Sequence, residues 1–326
     1  MTDQAGFEAP VSRLPGDLKR HILGKLPAED QGRLALVDKA TRAFIVPPPE
    51  GTPVGLVRGA TMRREDLQYR TIYTQTELQA SLDSPGPLDF AAGAGKQAGR
   101  LVVGGWCAAD PIRLLAGHDG QPLGELNARC LIEVCSGAAI TRMNGGTAEV
   151  TAGATVTLMY GGMCVVHEGG TLVSMHGGRT TARGGIREVF QGYANLHGTA
   201  EATSVLGGTV EAMDESIIHA VSGGIVWLHD RACVGTVTGG EISLEGASAL
   251  QGADGGTVYA RGRSTVTAGG QAFVRAHETA TVTVYGDAVV HAYDQASVEA
   301  HGGTVHLHGP DVRLTDHGGA TIVHAP

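Results

Sequence analysis

Hydrophobic positions in the second half of the chain recur with a period of eight. From Val210, steps of eight land on Ile218, Val226, Val234, Ile242, Leu250, Val258, Val266, Val274, Val282, Val290 and Val298. His306 breaks the series, and Leu314 and Ile322 resume it. Two residues before each aliphatic stands a small residue, such as Ser216, Ala232, Ser248, Ala272 or Ala288. Two residues after it Ala is frequent, as at Ala260, Ala268, Ala276, Ala292 and Ala300. Positions spaced by two lie on one face of a β-strand, so each octad predicts a short strand with a small-large-small inner face, followed by a turn. Four residues after the aliphatic come Asp214, Ser222, Asp230, Asp254, Gly262, Glu278, Gly286, Asp294 and Gly302, all types that tolerate turn geometry or bond their own backbone. The same period runs through Ile132, Ile140, Ala148, Val156, Cys164 and Leu172, and it slips by two residues between Thr180 and Ile186.

A fixed period held this long is the signature of a solenoid. The fold class is therefore mainly β, a parallel β-solenoid of octads with a small helical unit before it. The pairs Gly207-Gly208, Gly223-Gly224, Gly239-Gly240 and Gly255-Gly256 recur every sixteen residues, which favours a two-sided coil of sixteen over a three-sided coil of twenty-four. The expected organisation is a short terminus (1–11), a helical unit (12–46), a linker and irregular cap (47–130) that includes a helix over Thr74–Leu82, and the solenoid (131–326).

The helical unit has a different pattern. Leu14, Leu18, Ile22, Leu23 and Leu26 lie three and four apart, one face of an amphipathic helix. Pro15 suits its first turn and Pro27 stops it. A second helix is expected over 29–44, with Leu34, Val37 and Phe44 inward, before Pro47, Pro48 and Pro49. Two helices over some 35 residues bury too little to stand alone. The ordered frame Leu14-Pro15, Asp17, Ile22-Leu23, Leu26-Pro27, Asp30, Leu34, Val37, Lys39 and Arg42 resembles the F-box, with departures at Lys19 and Gln31. The resemblance implies that Leu14, Pro15, Ile22, Leu23, Leu26 and Val37 pack on a Skp1-type adaptor protein. The architecture then resembles F-box proteins with β-helical substrate domains, which link a ubiquitin-ligase core to a protein target.

Composition agrees with the solenoid. Gly supplies 50 of 326 residues and aromatics only 4%, so the core must be built from small and branched side chains. A net charge of -9 argues against a nucleic-acid partner. No apolar run is long enough to predict a membrane helix, and the N-terminus lacks the pattern of a secretory leader. Cys107, Cys130, Cys135, Cys164 and Cys233 form no CxxC pair and read as reduced thiols, which points to the cytoplasm, or to the host cytosol for a secreted effector.

An enzyme is not expected. The turns are too short to wall a cleft, and the acids Asp214, Asp230, Asp254 and Asp294 already serve turns. The sequence at 93–97 fails the phosphate-loop frame at Phe90 and Gln97. His197, His229, His277, His301 and His317 share one octad phase with Tyr285 and Tyr293, which predicts a single outward ladder of rings. Of these, His229, His277, Tyr285, Tyr293, His301 and His317 are the candidate target-binding surface. His306 and His308 lie two apart, but no further ligand is placed near them, so neither metal nor cofactor is expected. The competing readings are a structural or self-assembling solenoid, in which homo-oligomers form, and a carbohydrate-active β-helix.

Overall fold

A computed structural model describes residues 70–95 and 98–324. The expected F-box-like unit, with Leu14, Pro15, Ile22, Leu23, Leu26 and Val37, lies outside the described residues. Residues 70–324 form a parallel β-solenoid of about 16 turns with two faces. The first sheet has 16 strands, from Arg70–Ile72 to Thr321–His324, and the second has 14, from Val102–Val103 to Arg313–Asp316. Successive strands alternate between the sheets. Val210 pairs with Val226 and Ile218 with Val234, so the coil is sixteen residues long.

Octad aliphatics from Val210 to Val298 all point inward and are buried, together with flanking small residues such as Ser216, Ala232, Ser248, Ala260, Ala276 and Ala292, whereas Gly208, Ala220, Gly224 and Gly240 are only half-buried. Both departures from the period are explained by coil length. Leu172 pairs with Ile186 and Thr180 with Ala194, a coil of fourteen, because the corner between Ala182 and Gly185 is two residues shorter. Thr180 takes the inward place there, with Oγ1 3.4 Å from the Met159 sulfur. At the second departure Val290 pairs with Val305 and Val305 with Ile322, coils of fifteen and seventeen. Val305 fills the core, and His306 is turned outward beside it.

The two kinds of corner differ. Passing from the first sheet to the second, the chain turns through a left-handed residue: Asp214 (φ 59°), Asp230 (56°), Glu278 (58°) or Asp294 (56°). Carboxylates at these corners reach back one coil. Asp214 Oδ2 accepts the Gly198 N–H at 2.8 Å, Glu278 Oε2 that of Gly262 at 3.1 Å, and Asp294 Oδ2 that of Glu278 at 3.0 Å. These acids therefore act as corner brackets, as their turn positions predict. Ser222, Asp254 and Gly302 do not take the left-handed place in their corners; Gly224, Gly256 and Gly303 do. A Cβ on Gly224 would lie 2.6 Å from the Gly208 carbonyl oxygen, so this corner needs glycine for space as well as for φ.

The solenoid starts earlier than the period predicts. Strands Arg70–Ile72, Gly86–Ala92 and Ala109–Leu114 already belong to the first sheet, so the stretch expected as an irregular cap supplies the first coils. Its irregularity lies in insertions between strands. The α-helix Gln75–Leu82 forms where TQTELQASL predicts one, with Thr74 and Glu77 making a reciprocal capping box. Leu78 and Leu82 are fully buried, and the helix contacts the first strand of each sheet. Gln75 extends this cap: its Nε2 donates to Val102 O at 2.7 Å and its Oε1 accepts from Val102 N at 2.8 Å. One side-chain amide thus occupies the pairing groups that an edge strand would leave open.

At the opposite end the last coil carries polar residues in core columns. Asp316 stands in register with Ala300, and His324 with Leu307. Val312, Leu314, Ala320 and Ile322 still pack, half-buried, against the core. Charges placed at inward positions of an edge discourage further strand addition.

Candidate interaction face and ring ladders

Residues one coil apart stack at about the strand spacing of 4.7–4.9 Å, which suits parallel rings. The expected single ladder is in fact two, because successive octads end at opposite corners. At the end of the first sheet's strands, His277 stacks on Tyr293 (4.5 Å between ring centres, 2° between planes), and Tyr293 stacks on His308 (4.3 Å). Where the second sheet's strands end, Tyr285 stacks on His301 (5.0 Å) and His301 on His317 (4.2 Å, 2°). The period of eight groups these residues; the coil of sixteen separates them.

His229 belongs to neither stack. It sits three coils from His277, between Glu211 (3.6 Å) and Glu245 (3.4 Å). His197 likewise joins no ring among the described residues. Two groups of rings escape sequence reasoning. His291, on the outer face of the first sheet, stacks on His306 (4.4 Å) and His308 (5.1 Å), and its Nδ1 lies 2.8 Å from His308 Nε2. Burial, then the neighbouring His306, His308 and Arg275, hold the His291 imidazole below its usual range, in favour of the neutral ring. The other group is Tyr160, His176 and Phe190, with centres 5.1 and 4.6 Å apart. The short coil spaces its last two members by fourteen residues, which hides the stack from a strict period.

The outer face of the first sheet also carries Trp227, Tyr259, Phe273 and Tyr193. Arg179 lies over the Tyr193 ring at 5.2 Å, and the Tyr193 hydroxyl donates to the Glu211 carboxylate. That hydrogen bond, ahead of burial, raises the pKa of the phenol. Arg275 lies 5.8 Å from the Tyr259 ring and 5.5 Å from Phe273. None of the five cysteines is in a disulfide, and burial pushes Cys164 up to about 12, as expected of a small buried residue.

Glu299, His301 and His317 form a further cluster, whose donor atoms all lie within 4.8 Å of one another. Sequence spacing of two and sixteen brings them together only once the coil length is known. No protein-family model, curated protein or solved structure matches the chain.

Proposed function

We propose that the chain is a non-catalytic recognition rod and that it serves as a substrate adaptor. In this reading residues 12–46 dock on a Skp1-type adaptor through Leu14, Pro15, Ile22, Leu23, Leu26 and Val37. The solenoid then presents a protein target with His277, Tyr285, Tyr293, His301 and His317, with His229 further along the rod. The observation that carries the recognition role is the gathering of stacked, partly exposed rings in the last coils. Rigid aromatic surface of this kind is favoured in protein interfaces because it adds contact area at small entropic cost. The brief corners and the use of Asp214, Glu278 and Asp294 as backbone acceptors weigh against a polysaccharide enzyme. The helix across one end and the inward Asp316 and His324 at the other weigh against a rod that polymerises end to end.

The test is a binding measurement with a purified Skp1-type protein. The parent chain should form a 1:1 complex, and the double substitution Leu14→Ala with Pro15→Ala should abolish it while leaving the melting temperature almost unchanged. A parent chain that binds no Skp1-type partner overturns the adaptor reading and leaves the recognition rod to be judged by itself.

A further inference from the structure

We propose that Glu299, His301 and His317 form a site for a divalent transition-metal ion of the zinc class, which clamps the last strand of the second sheet to its neighbour. His301 immediately follows the strand Ser297–Ala300 that carries Glu299, and His317 immediately follows Arg313–Asp316, the edge strand one coil on. Their side chains converge. His317 Nε2 lies 2.9 Å from Glu299 Oε1, and His301 Nε2 lies 3.5 Å from the same oxygen. A tetrahedral zinc ion with bonds of about 2.0–2.2 Å needs donors about 3.3–3.5 Å apart. The second separation already fits, and the first opens by about half an ångström when the metal replaces the proton between imidazole and carboxylate. Two imidazoles and one carboxylate leave a fourth position for water, a donor set that suits zinc and discriminates against magnesium and calcium, which prefer oxygen.

The location gives the ion a structural task. Outermost in its sheet, Arg313–Asp316 pairs on one side only, and its inward residue Leu314 is half-buried where Val298, one coil earlier, is buried. An ion held from both strands adds a cross-link to the least covered coil, and any ligand that binds only the folded form stabilises it by mass action. The two rings stack with centres 4.2 Å and planes 2° apart, so both must tilt out of the stack before their in-plane lone pairs meet at one ion. The inference does not rest on the adaptor reading, since it concerns only the rod.

The experiment is a zinc titration of the untagged full chain against a chromophoric chelator, with magnesium as control and backbone hydrogen exchange as the positional readout. One zinc per chain is expected, with exchange of the 313–316 amides slowed at least threefold. His317→Ala and Glu299→Gln should each weaken zinc at least tenfold while circular dichroism stays that of the parent. Because His291 and His308 are a competing pair, His291→Phe with His308→Phe should leave the affinity unchanged. Absence of zinc binding at about 100 µM overturns the proposal. So does binding that survives loss of Glu299 and His317, or that disappears with His291 and His308.

Discussion

The sixteen-residue coils on either side of residue 257 distribute their residues differently. Before it, from Ala139–Met143 to Ala249–Ala253, strands of the second sheet have five residues and point inward at the second and fifth, as in Ile218/Val221 and Val234/Val237. Beyond it they have four, with inward residues two apart, as in Val266/Ala268 and Val282/Val284. The junction is a register shift where Ala249–Ala253 meets Thr265–Ala268, with Leu250 opposite Val266 and Ala253 opposite Ala268. The residue removed from the strand reappears in the next corner: three residues separate Ala253 from Thr257, but four separate Ala268 from Phe273. That extra residue lets buried Ala272 and Ala288 line the core, where earlier coils place Gly224 and Gly240 in left-handed geometry. A β-bulge and a longer turn are thus alternative ways to spend one residue, and the sixteen-residue pitch is indifferent to which is used.

The largest effect should be common to both regions, since octad aliphatics fill the core in each, Val226 on the first sheet and Val266 on the second. Val226→Asp and Val266→Asp each put an unpaired charge into a core of small side chains and should cost several kcal/mol in denaturant unfolding. His277→Ala, on the outer edge, should be nearly neutral. If Val226→Asp and His277→Ala were equally damaging, the strand phase would be wrong. A smaller effect should separate the regions. Gly224→Ala meets both the left-handed φ of +84° and a carbonyl oxygen 2.6 Å from its Cβ, so about 3 kcal/mol is expected. Gly286→Ala meets only φ +59°, with its nearest atom at 3.4 Å, and should cost about 1 kcal/mol. Equal losses would show that the two corners are energetically alike. The smallest change should be a gain. Ser264 is fully buried with no hydrogen-bond partner for its hydroxyl, while Ala280 and Ala296 hold the same column. Ser264→Ala should stabilise the rod by about 1 kcal/mol, read as a higher urea midpoint at unchanged slope.

The sheet faces, the two-sided coil and the inward column were legible because one residue type recurs at a fixed interval wherever it must fill the same slot. Val305 shows the limit of that reading: the period points to His306, and only pairing with Val290 reveals that the coil is one residue short. The first coils were illegible for a related reason. The helix Gln75–Leu82 and the turn at His118–Gly120 interrupt the count, and Ile112 pairs with Ile132 across twenty residues. Ring residues were found by phase, but their partition between two corners depends on which octads share a sheet. Glu299 was missed because its neighbours His301 and His317 lie two and eighteen residues away in the sequence, and no motif joins them.

The constant pitch on both sides of the junction makes the rod countable. Excising residues 226–241, or 274–289, would return the chain to the same sheet at the same phase. After the first excision Ile242 takes the place of Val226 beside Val210, and after the second Val290 takes that of Val274 beside Val258. Both ends keep their own residues and their own neighbours. Length in this protein can therefore change in whole steps of one coil, without redesign of either terminus.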